Sequence, residues 1–169
     1  MDEEVDIVDE QNSVLYHAPK QRAHKEGLLH RTVIGEIYDS EGRWLLVKQA
    51  GHKQDAGQYV SPVGGHVSSG ESEEDAFRRE THEEVGLKYF DFRLKGRIIY
   101  NREVIGRKEN HYFIVYEIDS DEPLKLNDES DAYIALSEEE LRRELKEHPE
   151  LFGAAFLFVL KAFYPHILA

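Results

Sequence analysis

Three glutamates, Glu80, Glu83 and Glu84, stand three and four positions apart in the run RRETHEEVGL. On a helix such residues share a face, with Cβ atoms roughly 5–6 Å apart. Like charges at that spacing repel. The run also ends at Gly86, a C-cap residue, where the helix macrodipole disfavours anions. A divalent cation would reverse the sign of both effects, and hard oxygen ligands suit Mg²⁺ or Mn²⁺. The plainer alternative is a solvated charged face in a chain with 34 Asp and Glu residues.

The wider spacing favours the cation. From Gly65 the chain follows G-x5-E-x7-R-E-U-x-E-E-x-G-U, where U is apolar, with Gly65, Glu71, Arg79, Glu80, Glu83, Glu84, Gly86 and Leu87 in the specified places. Thr81 stands where an aliphatic residue is usual. This pattern resembles the Nudix box. The resemblance implies a loop–helix–loop that hydrolyses a diphosphate linked to another moiety. Glu80, Glu83 and Glu84 would hold Mg²⁺ (Mn²⁺ as substitute), with the carbonyl of Gly64 or Gly65 as a further ligand, and Glu71 and Arg79 would form a bracing ion pair. A bound metal neutralises phosphate charge and lowers the pKa of water. The general base is either Glu80 or a glutamate from a later loop. Glu129, six residues before Ala135 at a position where relatives carry Trp, is the later candidate.

The likeness extends over roughly residues 4–145. HKEGLLHRTVIGEIYDSEGRWLLVKQ and K-x-x-x-G-x-Y-x-S-x-V-G-G-H, Lys53 to His66, resemble type 1 isopentenyl-diphosphate isomerase and its hydrolase cousins. That resemblance implies a second metal, Mn²⁺ or Zn²⁺, held by His24, His30, His66 and Glu109. The interval from His24 to His30 is one residue shorter than in bacterial isomerases. It also places Lys48 and Lys53 as diphosphate-binding cations. The isomerase reaction needs a cysteine and an opposing glutamate. Gly64 and His111 stand in their places, and the chain has no cysteine. The retained box glutamates therefore point to hydrolysis. An isomerase with altered acid and base, and a non-catalytic ligand-binding module, are the alternatives. His82 and His111 flank the expected site. Tyr59, Tyr100 and Tyr112 fall on strands near it, where aromatics are more often core.

These residues need elements to position them. Val5–Val8 and Val14–Tyr16 read as strands around a turn at Asp9–Ser13, and residues 19–27 as a loop or short helix. Two strands follow, joined at Asp39–Gly42, then a loop, and a short strand ending in Gly64–Gly65. The spacing predicts a helix over 72–85. Two long strands meet near Val104–Arg107, and Tyr133–Leu136 forms another. Ser137 with Glu140 makes a capping box at the start of a helix, and Pro149 separates it from a last helix at about 150–164. The order fits a single domain of the α/β (α+β) class, a Nudix-type α/β/α sandwich with a mixed sheet, and not strict doubly wound alternation.

Bulk properties narrow the partners. With 169 residues and 40% hydrophobic content the chain can bury one core. A net charge of -13 disfavours a nucleic acid polymer but not a nucleotide reached through a metal. The absence of cysteine excludes disulfides and thiolate chemistry. The acidic start MDEEVDIVDE lacks the apolar core of a signal peptide. The expected setting is cytoplasmic, with a small-molecule diphosphate as partner and no membrane. The apolar run LFGAAFLFVLKAF is too short to span a bilayer and either completes the core or forms a homodimer contact.

Overall fold

The structure, a computed structural model, describes residues 3–53, 55–104 and 107–169. Among these described residues nine strands form one curled sheet. They are β1 (Glu4–Val8), β2 (Val14–Pro19), β3 (His30–Tyr38), β4 (Trp44–Gln49), β5 (Tyr59–Val60), β6 (Val63–His66), β7 (Asp91–Val104), β8 (Arg107–Asp119) and β9 (Ser130–Leu136). The α-helices among the described residues are α1 (Lys20–Glu26), α2 (Glu73–Val85), α3 (Glu138–Glu147) and α4 (Ala154–Phe163). The 3-10 turn Pro149–Leu151 separates the last two. The sheet is mixed: β3 pairs in parallel with β8, and the other pairs are antiparallel. The connection expected near Val104–Arg107 lies partly outside the described residues. Among the described residues no helix is long and apolar enough to cross a membrane.

Strand alternation divides β3 between two cores. Val33 and Ile37 face α2, packing with Phe77, Val85, Leu87 and Ile114. Ile34 faces α3 and α4, packing with Phe113, Val115, Leu141, Phe156 and Leu160. The sheet thus lies between helical layers, as the element order predicts. Gly35 lets α2 approach closely, because a Cβ there would stand 2.7 Å from the Phe77 ring. The apolar C-terminal run completes the second core: Phe156, Val159 and Leu160 of α4 are buried.

Helix ends follow local chemistry. Ser72 caps α2 by accepting from the Asp75 amide at 3.1 Å, and Glu73, Glu74 and Asp75 fill the first turn, where the dipole favours anions. Gly86 ends α2 at φ 74°, and its N–H reaches the His82 carbonyl at 3.1 Å. The Ser137–Glu140 capping box opens α3. Residues 20–26, left open between loop and helix, form α1, with Gly27 in the left-handed region at its end.

Candidate functional site

A cavity of about 550 Å³ opens between β3, β6, α1, α2 and the start of α4. β3 and β4 pair only at Ile37–Leu45 and Tyr38–Trp44 and then diverge, while β6 pairs with β3 from Thr32 to Gly35. This split in the sheet leaves the opening. One part is acidic, one is lined by imidazoles, and one is apolar, with Ile34, Val47, Val60, Phe113, Ala155 and Phe156.

The acidic part is built from α2 outward. Glu71 takes both Nε and Nη2 of Arg79, each at 2.9 Å, and also accepts from the Ser68 amide. Arg79 holds Glu71 below the usual carboxylate range. Arg79 further donates to the His66 carbonyl at 3.1 Å and to Glu80 Oε1 at 2.7 Å. The pair therefore ties the loop after β6 to α2 and aims Glu80. Glu80's carboxyl lies directly over Gly65, where a Cβ would collide with it. Burial pushes Glu80 up to about 6 against the pull of Arg79, with Glu83 and Glu129 adding to the rise. Glu84 accepts from the Gly64 amide at 2.8 Å. Burial, the nearby Glu80 and a hydrogen bond to Glu129 hold it well above the ordinary range. Glu129 resists the raising effect of burial: Lys53 Nζ donates to it at 2.8 Å, and it stays below the ordinary range. Burial and mutual repulsion thus weigh on Glu84 more than on Glu129. Three carboxyls crowded at this cost are a donor set that suits a hard divalent cation.

Thr81, the departure from the usual box pattern, is fully buried and donates to the Phe77 carbonyl at 2.6 Å, so its hydroxyl is satisfied within the helix. Glu83 is not among the residues lining the cavity: its side chain is 53% exposed and reaches Arg79 Nη1 at 3.5 Å.

The second cluster is set by register. The parallel pairing of β3 and β8 puts His30 beside His111, and the antiparallel pairing of β3 and β6 puts Thr32 beside His66. α1 adds the buried His24, whose Nε2 lies 3.2 Å from His66 Nε2. One nitrogen from each of His24, His30, His66 and His111 falls within 4.8 Å of the others. His30 Nδ1 contacts the Leu28 carbonyl at 2.8 Å. A carbonyl only accepts, so His30 carries a proton on Nδ1, and its Nε2 is the nitrogen left to face the other imidazoles. Burial, followed by the neighbouring imidazoles and Lys20, lowers His66 well below its ordinary value, so His66 is neutral at pH 7. Neutral imidazoles converging this way suit a borderline ion such as Zn²⁺. Of the expected ligand set, His24, His30 and His66 fall in this group together with His111, and Glu109, two residues along β8, lines the same cavity.

Other expected residues separate clearly. Lys53 lines the cavity. Lys48 does not, because Val47 and Gln49 of β4 do and alternate side chains of a strand point to opposite faces. His82 is exposed on α2. Tyr100 stacks on Phe113, Tyr59 packs on Phe152, and Tyr112 joins the core beneath α2. Lys20 and Ser61 also line the cavity. Pro19 before Lys20 is the local signal for the former, as a helix-start residue; Ser61 is a specified position of the Lys53–His66 pattern, which attaches no role to it.

Comparison with known proteins follows the same lines. A family model described as the NUDIX domain matches residues 28–155. The chain is 30% identical over 164 residues to an isopentenyl-diphosphate Delta-isomerase of Serratia proteamaculans, covering 95% of this chain and 91% of the relative. It is 41% identical over 91 residues to an uncharacterized Nudix hydrolase of Streptomyces coelicolor, covering 50% of this chain and 48% of that protein. Among solved structures, the DR0079 protein of Deinococcus radiodurans superposes with a TM-score of 0.78 at 22% identity, covering 96% of this chain and 99% of that one. A MutT protein from Methanosarcina mazei gives 0.65 at 23% identity, covering 83% and 96%.

Proposed function

The chain belongs to the Nudix family, and from that premise we propose that it hydrolyses a diphosphate linkage in a small molecule, a nucleoside diphosphate linked to a second group or a related diphosphate, with Mg²⁺ as cofactor. The observation that carries this reading is the convergence of Glu80, Glu84 and Glu129 beside Lys53 on one cavity wall. Mg²⁺ held by these carboxylates, or Mn²⁺ in its place, would neutralise phosphate charge and supply an activated water. Lys53 pairs with a phosphate oxygen as a point charge. Arg79, locked by Glu71, keeps Glu80 aimed over Gly65. Glu80 and Glu129 are the two candidates for accepting the water's proton; each lines the cavity and is anchored by a cation, Arg79 for Glu80 and Lys53 for Glu129.

Isomerisation of a prenyl diphosphate is the second reading, favoured by the full-length likeness to the Serratia isomerase. Against it, Gly64 offers no acid, and His111 is gathered into the imidazole cluster.

A panel of nucleotide-linked, coenzyme and prenyl diphosphates, assayed with Mg²⁺, distinguishes the two. The hydrolase reading expects turnover of at least one member, lost on the order of 10²–10³-fold in Glu84→Gln and less severely in the exposed Glu83→Gln. Full activity in Glu84→Gln, or dimethylallyl diphosphate as the only product, would sink it.

A further inference from the structure

Glu36 and Glu117 are neighbours in the β3–β8 register, yet their surroundings differ. Glu117 accepts from Tyr164 Oη at 2.7 Å, Tyr38 Oη at 2.8 Å and Arg93 Nε at 3.0 Å. Burial works to raise it, but these donors, with Lys95, hold it below the ordinary range. Glu36 is fully buried and receives none of that help. Its one hydrogen-bonding partner among the described residues is Ser61 Oγ, bonded to Oε1 and 3.2 Å from Oε2. Ser61 stands in the link between β5 and β6 and lines the cavity. The charged and titratable groups around Glu36 are Tyr38 on its own strand, Glu117 on β8, and Tyr164 after α4. Arg93 and Lys95 of β7 act on Glu117. Burial pushes Glu36 up to about 8, Ser61 opposing and Glu117 adding, so the carboxyl is uncharged at neutral pH.

An uncharged carboxyl carries an O–H, and a buried O–H needs an acceptor. Ser61 Oγ is the acceptor within reach. A serine that accepts from Glu36 has its own proton free to turn toward the cavity. Ionisation reverses this: Ser61 then donates to the carboxylate, presents lone pairs to the cavity, and a negative charge stands behind it.

We propose that Ser61 is a ligand-binding donor of the cavity, that it donates to an anionic oxygen of a bound phosphate group, and that the uncharged carboxyl of Glu36 sets the direction of that bond. The inference rests on reading the cavity as a diphosphate site and adds a neutral donor to Lys53. Glu36 is a positioning residue, acting through Ser61.

Calorimetric titration of the full chain with inorganic pyrophosphate in excess Mg²⁺, from pH 6.5 to 9.5, tests it. Binding is read, not turnover, so the outcome is separate from that of the hydrolysis assay. Glu36→Gln keeps a permanent amide donor behind Ser61, and the ligand's own titration cancels between variants. Relative to Glu36→Gln, the wild-type Kd should weaken about tenfold or more as pH rises through the Glu36 transition. Ser61→Ala should weaken binding about three- to tenfold at pH 7 and abolish the difference between the two profiles. The ¹³C-carboxyl shift of Glu36 in the unaltered protein should move between pH 7 and 9, which decides the matter even where Glu36→Gln fails to fold. Parallel profiles for wild type and Glu36→Gln, unchanged binding by Ser61→Ala, or a Glu36 that titrates in the ordinary carboxylate range would each overturn the proposal. Wild type that binds no pyrophosphate at any pH would overturn the cavity reading beneath it.

Discussion

At the scale of residues, helical spacing identifies the acidic group but not the division within it. At 3.6 residues per turn, Glu80 and Glu84 lie about 40° apart around the axis, whereas Glu83 and Glu84 lie about 100° apart. One cavity wall therefore takes Glu80 and Glu84, and Glu83 turns to the solvent side, near Arg79. Gly65 is equally legible as a box position, yet its physical reason is visible only in three dimensions: the Glu80 carboxyl occupies the space of the missing Cβ. Gly65→Ala should therefore cost about 10²-fold in turnover by displacing Glu80. Thermal unfolding, followed by circular dichroism, should move little, since the site is at a cavity edge. Wild-type turnover in that variant would mean Glu80's position is immaterial. For the buried Glu36 the sequence offers only strand alternation, which marks it as inward-facing, and a lone inward glutamate is informative only once Ser61 is found beside it.

At the scale of elements, the strands and caps follow from alternation, turn residues and capping patterns, and the structure places them where those signals lie. Register between strands distant in sequence does not follow. Glu109 and His111 share a face of β8, two residues apart, roughly 7 Å along the strand. Only the pairing of His30 with His111 decides which of them joins the imidazole group. The resemblance points to Glu109, and the register adds His111 beside His30. α1 was legible only as a polar stretch with Gly27 at its end, yet it delivers His24 despite the shortened interval to His30. Cobalt(II) absorption provides a direct check, since a cobalt–imidazole centre is coloured and Zn²⁺ competes for it. Wild type should bind Co²⁺, His111→Ala should weaken binding at least about tenfold, and Glu109→Gln should do so less. The reverse order would make Glu109 the ligand in place of His111.

At the scale of the molecule, the sheet is the device that brings these parts together. β3 runs through its centre, giving one face to the α2 core and the other to the α4 core. Where β4 parts from β3, the sheet opens into a cavity, and the box helix, the imidazole strands and Lys53 all meet there. The box and the order of elements made the fold class legible, because both are local patterns. The split sheet was not, because it depends on which strands lose their partners. The central claim, that water is delivered to phosphorus in this cavity, is tested most directly by turnover in ¹⁸O-enriched water with Mg²⁺ and an accepted diphosphate, the products read by mass spectrometry. One ¹⁸O in a phosphate product, absent in Glu84→Gln, is the predicted result. Conversion of isopentenyl to dimethylallyl diphosphate, with no label entering any phosphate, would contradict it.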